Sequence, residues 1–338
     1  MARSWYSRAA PALVLMVLAP LLTEVLPGAT RFSSIFVLPI EIAVWGGGAV
    51  LIREVVRRKG LGWQSLLLLA LVLAIAEECL IQQTSLAPLV IKLKGVEYAR
   101  WMGVNYVYLL WALAYESVLV VMLPVLLTEL LFPARRGEGW LSKTGGAIVG
   151  AFFALGCFLA WFSWTQIARV KVFHLPPYTP PLIAVLVAVV TMVGLAFFAL
   201  GPQRNAFTPA RAKLPPSPWL VALCGIVWSA LLFGMVLLAF GIAPQVPPAA
   251  PVGGWIIMVA TALSVLPHWT AHADWRAAHR YALIFGVVGS AMAVGFVAFI
   301  GAAPIDLWFK IATNVIAVAL FVWLGLSLRR SASVPHRS

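Results

Sequence analysis

The sequence predicts an all-α fold, a polytopic transmembrane helical bundle of about ten spans with both termini on the cytoplasmic side. Three observations carry that expectation. Hydrophobic residues make up 62% of the chain and charged residues 10%, with a mean hydropathy of +0.97, far from the usage of soluble domains. Apolar runs recur at lengths near the roughly 20 residues that cross a hydrocarbon core of about 30 Å, with polar or Pro/Gly-rich stretches between them. Lys and Arg, which resist translocation, are distributed unevenly: with the N-terminus inside, the inner segments hold 17 of the 24.

The elements follow in order. The run 10–27 follows Arg3 and Arg8 as a signal peptide would. Pro20, Glu24 and Pro27 interrupt it, no small-x-small cleavage site follows, and further spans come after, so it is a retained helix. The run 35–52 contains Gly46-Gly47-Gly48, which lets another helix approach closely. The run 64–83 ends with Glu77, Glu78 and Gln82. The run 104–131 is long enough to tilt or project, and carries Tyr115-Glu116-Ser117 near its middle. The runs 144–164, 182–200, 219–242, 253–270, 282–301 and 309–327 complete the set, with no internal repeat linking the halves. Trp5, Trp63, Trp101, Trp140 and Trp219 sit at span ends as interface anchors. Cys79, Cys157 and Cys224 fall in different spans and read as packing residues rather than a disulfide or zinc framework.

The net charge of +13 then reflects topology, with some attraction to anionic headgroups. The expected setting is a bacterial-type inner (plasma) membrane with lipids as partners, and no nucleic acid, because no basic soluble domain exists to bind one.

The carboxylates divide the chain. Nine of the eleven acidic residues lie before residue 140, which separates a four-helix, Glu-rich functional unit (1–133) from a six-helix scaffold (134–338). An ionised carboxylate in hydrocarbon must be paired, protonated or facing a wet cavity. Helical rise places Glu24, Glu41, Glu77 and Glu78 at one level, roughly 5 to 10 Å below the outer surface, with Glu116 deeper. Neighbours in an α-helix point about 100° apart, so Glu77 and Glu78 should not pair with each other. Glu78, on a face with Gln82 and Ser85, is the inward candidate, and Glu77 shares its side with Ile81 and Thr84. Glu24, Glu41 and Glu78 are expected to converge, sharing a proton at neutral pH. The structural alternative has Glu24 and Glu41 as interfacial residues bonded to tyrosines and to backbone freed by Pro27 and Pro39. Glu54 is assigned to Arg53, Arg57 or Arg58, and Glu129 to Arg135 and Arg136. Glu97 and Glu138 are loop charges. The loop from Thr84 to Val104 caps the Glu cluster, with Lys92, Lys94 and Arg100 as counter-charge. His268, His272 and His279 fall on the cytoplasmic side as interfacial residues. No metal site is assigned, and the cofactor is undetermined.

The Glu77-Glu78 pair at the end of a membrane helix resembles the E-E-x-x-x-R motif of the Abi/CAAX protease superfamily, the glutamate-type intramembrane proteases. Gln82 stands where that motif has Arg. The second motif, F-x-x-x-H, is echoed by Trp111 through Tyr115, with no histidine between residues 80 and 173. The resemblance implies that Glu77 and Glu78 activate a water for hydrolysis. Two functional classes result. One is a hydrolase acting on a peptide or lipid, with Glu77, Glu78, Glu41 and Glu24 as catalytic groups and Gln82, Glu116, Asn105, Tyr106 and Tyr108 binding substrate. The other is a proton- or cation-coupled transporter with Glu41, Glu78 and Glu116 as steps of a path. A noncatalytic membrane scaffold is the third alternative. Concentration of the acids in one half favours the hydrolase.

Overall fold

A chain this apolar can satisfy its backbone polar groups in hydrocarbon only within helices or a closed barrel. The computed structural model, which describes residues 5–88, 98–201, 209, 211–243 and 245–333, takes the helical solution. The helices are α1 (Trp5–Pro20, with a last turn Leu21–Val25), α2 (Phe32–Arg58), α3 (Trp63–Ile81), α4 (Tyr106–Leu131), α5 (Lys143–Val172), α6 (Leu182–Leu200), α7 (Pro218–Ile242), α8 (Ala249–Thr270), α9 (Ala277–Phe299) and α10 (Pro304–Arg330). Among the described residues, α2 to α10 are long and apolar enough to cross a membrane. The apolar part of α1, Ala9–Val25, is shorter, about 25 Å at the helical rise, which is the lower limit for a span. The protein is thus an all-α, multi-pass membrane bundle. The strands among the described residues form one small hairpin, β1 (Arg100–Trp101) and β2 (Val104–Asn105).

Two helices run further than their charges suggested. The second half of α5 continues as a wide turn, Phe162–Val172, so Arg169 belongs to a helix rather than to a loop after residue 164. The last helix starts at Pro304 and takes in Asp306 and Lys310. Asp306 accepts from the Ser33 backbone N–H at 2.9 Å and hydroxyl at 3.0 Å. Lys310 donates to Leu26 O and, at 3.1 Å, to Met292 O, which fastens α10 and α9 to the end of α1.

Burial separates the bundle's centre from its rim. In α3 and α4, 61% and 56% of the apolar window is buried, against 11% in α5 and in α6. Leu15, Trp45, Val50, Leu73 and Val121 belong to one core between α1, α2, α3 and α4. A second core joins Leu22 and Leu119 to Leu232, Phe240, Ile284 and Val288 of α7 and α9, so apolar packing runs across the 133/134 boundary. Close approach depends on glycine. A Cβ added at Gly46 would lie 2.0 Å from Met16 O, and one at Gly286 would lie 2.2 Å from Ala222 O, so α1 against α2 and α7 against α9 pack backbone to backbone.

The helices are not uniformly α. Wide turns with i→i−5 bonds, of which Leu26 N–H to Leu21 O and Gln82 N–H to Glu77 O are examples, occur at Leu21–Val25, Ile42–Gly46, Glu77–Ile81 and Glu116–Met122. Others occupy Phe162–Val172 and Leu238–Ile242. Proline adjoins several of them: Pro20 precedes the first, Pro39 stands shortly before the second, and Pro124 follows the turn of α4. Such prolines remove a helical donor and favour a local change of winding.

At the Arg-rich end, charge is compensated. The Arg57 guanidinium is bidentate on Glu129, at 2.7 and 2.8 Å, and Arg53 Nε meets the same carboxylate at 3.2 Å. Arg53 also lies over the Trp140 ring, 3.4 Å from its centroid. Glu54 accepts from Arg58 at 2.7 Å and from the backbone N–H groups of Trp140 and Leu141 at 2.9 and 3.1 Å. The assignment of Glu54 therefore holds, whereas that of Glu129 is corrected. Its partners are Arg53 and Arg57, because the end of α4 packs on α2, while Arg135 turns back to Glu138 at 3.2 Å.

Candidate functional site

Glu77 and Glu78 both face inward. In an α-helix they would diverge, but the wide turn opening at Glu77 winds less per residue and leaves the two residues 2% and 3% exposed. Across from them, Glu116 opens the wide turn of α4. One carboxyl oxygen from each of Glu77, Glu78 and Glu116 lies within 4.8 Å of the others. Two expectations change here: Glu77 joins Glu78 on the inner side, and Glu116 lies at their level instead of deeper.

Depth changes because α3 does not hand over to an exposed loop. Gln83 takes a left-handed conformation (φ 59°), and Ser85, Leu86 and Ala87 fold back into the protein at 0–1% exposure. The Asn105 N–H then donates to Ser85 O at 2.9 Å. The end of α3 thus lies below the start of α4 and opposite Glu116, which is about 15 Å along α4 by helical rise.

The same infolded segment bonds the triad. Glu78 accepts from the Thr84 hydroxyl at 3.4 Å and from the Ser85 hydroxyl on its other oxygen. Glu77 Oε1 and Glu116 Oε2 are buried and meet no hydrogen-bond partner among the described residues. Three carboxylates this close in a low-dielectric interior cannot all carry charge, so they share protons or hold a cation. Among the described residues, this triad is the group of acids, histidines and cysteines arranged closely enough to ligate one metal ion.

Glu24, in the wide turn of α1, is half-buried and within electrostatic range of Glu41, Glu77 and Glu116. Glu41 accepts from the Thr30 hydroxyl, and its second oxygen is buried without a partner among the described residues. Glu24 is thus coupled electrostatically both to Glu41 and to the triad. An aromatic wall closes one side. Trp111 stacks on Tyr115 (5.1 Å between centroids, 11°) and leans on Tyr108 (5.3 Å), while Phe233 of α7 meets Tyr115 edge-on at 5.6 Å. The Tyr115 hydroxyl donates to Thr23 O, tying α4 to the turn that carries Glu24. Tyr108 is within electrostatic range of all three triad carboxyls.

The other sequence candidates have different surroundings. Asn105 is the N-cap of α4, accepting from Tyr108 N–H at 3.0 Å and donating to Tyr98 O at 3.2 Å. Tyr106 is half-buried, with its N–H on Ala99 O. Gln82, where the motif has Arg, is half-buried at the bend after the wide turn. Arg100 donates to the carbonyls of Leu86, Ala87 and Gly103, while Lys92, Lys94 and Glu97 lie outside the described residues. The histidines of the α8–α9 turn bond locally: His268 with Ser264 O at 2.8 Å, His272 with Asp274 N–H at 3.1 Å, and His279 with Arg276 N–H at 3.2 Å. Tyr115, which ends the Trp111–Tyr115 echo of the second motif, directly precedes Glu116 of the triad. The available signal for the infolded segment was four consecutive polar residues, Gln82 to Ser85, at the end of an apolar span.

No family model matches the chain, and comparison with curated proteins and with solved structures gives no match.

Proposed function

We propose that the protein is a glutamate-type intramembrane hydrolase, in which Glu77, Glu78 and Glu116 activate a water against a peptide or lipid bond within the bilayer. The observation that carries this is the triad itself: three buried carboxyls within 4.8 Å, two of them presenting an oxygen to no donor among the described residues. Carboxyls that share a proton can act as base and acid in one step. The ionised member takes a proton from water as the water oxygen bonds to the carbonyl carbon, and the protonated member gives its proton to the departing nitrogen or oxygen. Glu78, oriented by Thr84 and Ser85, is the base in this scheme, and Glu77 with Glu116 holds the proton. The resemblance of the Glu77-Glu78 pair to the Abi/CAAX motif supports the assignment, with Glu116 as the third carboxyl.

The transport alternative requires ionisable steps continuing toward the far side. Toward the Arg-rich end, the next carboxylates, Glu54 and Glu129, are held by Arg53, Arg57 and Arg58, which interrupts such a path. The proposal includes an inner-membrane location with both termini in the cytoplasm and lipid as the surrounding partner. It is tested by reconstituting the native protein and the Glu78→Gln and Glu116→Gln variants in liposomes with fluorogenic transmembrane peptides and labelled phospholipids. Hydrolysis by the native protein that falls about 100-fold or more in each variant is expected, as for loss of a general acid or base. Gradient-driven proton flux that Glu116→Gln abolishes, with no hydrolysis of any substrate, would assign the triad to transport.

A further inference from the structure

The geometry points to an anion subsite formed by Arg169 and Arg100 at the rim of the triad, seating the phosphate of a phospholipid headgroup. It rests on the hydrolase reading and narrows the substrate from peptide or lipid to a phospholipid. The infolded segment that bonds Glu78 through Thr84 and Ser85 continues three residues further, and there two guanidinium groups from separate elements grip adjacent carbonyls. Arg100 Nη2 donates to Ala87 O at 2.6 Å, and Arg169 Nη1 donates to Pro88 O at 2.8 Å. Three residues span about 10 Å at most, so an anion held there leaves its ester linkages within reach of the triad.

Arg169 is the telling member. It is 3% exposed, its Nε meets no acceptor, and no carboxylate pairs with it among the described residues. Its guanidinium also lies 5.9 Å from the ring of Tyr178. The contrast with Arg53 is direct: that buried guanidinium has Glu129, three backbone carbonyls and a tryptophan face. A buried guanidinium with no carboxylate beside it among the described residues is unfavourable unless an anion completes the site. A guanidinium fork fits phosphate oxygens in pairs, and headgroup phosphate lies at the depth where a span end meets the interface.

Binding is read by native mass spectrometry on the full chain in neutral detergent, with three probes: short-chain phosphatidylglycerol, the diacylglycerol of the same chains, and a transmembrane peptide with a free C-terminal carboxylate. The native protein should retain phosphatidylglycerol over diacylglycerol, and Arg169→Gln should weaken retention about tenfold, the loss expected for one charge-assisted contact. Arg169→Lys, which keeps the charge without the fork, should fall between. Equal retention of both lipids by the native protein overturns the proposal without recourse to any variant. So does unchanged retention in folded Arg169→Gln, or displacement of the phospholipid by the carboxylate peptide. Loss of the subsite with hydrolysis persisting leaves the triad's role standing, and selective binding with no hydrolysis of any substrate removes the triad's role alone.

Discussion

Glu116 and Glu129 sit on the same helix, both nearly fully buried, and the same substitution should act on them with opposite sign. Glu116 faces two further carboxyls, so like groups crowd it and oppose its ionisation. Glu116→Gln removes the repulsion while keeping the side chain's shape, and should raise stability by about 1 kcal/mol, within the usual gain from relaxing such a site. Glu129 is the shared counter-ion of Arg53 and Arg57. Glu129→Gln leaves the Arg53 guanidinium buried without its charge partner and should destabilise by about 3 kcal/mol or more. Thermal unfolding of both variants in one detergent reads the two signs together, and a fall in melting temperature for Glu116→Gln would show that its carboxyl is paired rather than crowded. The intramembrane glutamates were legible because a carboxyl in an apolar run has no inexpensive explanation. Which of Glu77 and Glu78 turns inward was not legible, because an α-helical angle was applied to residues that begin a wide turn.

Helices are where hydropathy served best, and their internal winding is where it failed. One apolar stretch after another places the long helices α2 to α10, with the shorter α1 before them. Yet Glu24, Glu41, Glu77 and Glu116 each lie in or immediately before a wide turn, a difference of one residue per turn to which hydropathy is insensitive. Proline marks α1, α2 and α4, but α3 has none, so no rule from the sequence would have found its turn. Packing at Gly46-Gly47-Gly48 was readable, and it provides a test of how tightly the Glu-bearing helices are set. Gly46→Ala forces a Cβ to within 2.0 Å of Met16 O and should cost about 1–3 kcal/mol through overpacking. It also moves α1, with Glu24, away from the triad. Gly150→Ala on α5 meets nothing within 4 Å and should stabilise by about 0.5–1 kcal/mol from helix propensity alone. Urea or thermal unfolding compares the pair, and equal effects would mean that α1 and α2 have slack at Gly46.

For the whole molecule, the helices alone leave the orientation open, and the distribution of charge yields an expectation that can be tested. Arg280 at the start of α9 is within electrostatic range of Arg57 at the end of α2, Arg136 after α4 and Glu129, so three cationic segments distant in sequence gather at one end. Arg31, Arg100, Arg169 and Lys310 belong to the opposite end, near the turn after α1, the infolded segment and the start of α10. Positively charged segments stay on the cytoplasmic side, and with the shorter α1 counted beside the nine longer helices, ten crossings would return the chain to the side on which it began. A reporter active only outside the cytoplasm should therefore be silent when fused after α10 and active when inserted between α5 and α6. Activity of the C-terminal fusion would remove either one crossing or the orientation, and glycosylation-type tagging of the α3–α4 connection would tell the two apart. The expected pattern sets the rim of the carboxyl triad, with Arg100 and Arg169, in the outer leaflet. On the proposed hydrolase reading, a substrate would then enter sideways from lipid, through the thinly buried α5 and α6, and not from the cytoplasm past the Arg53–Glu129 network.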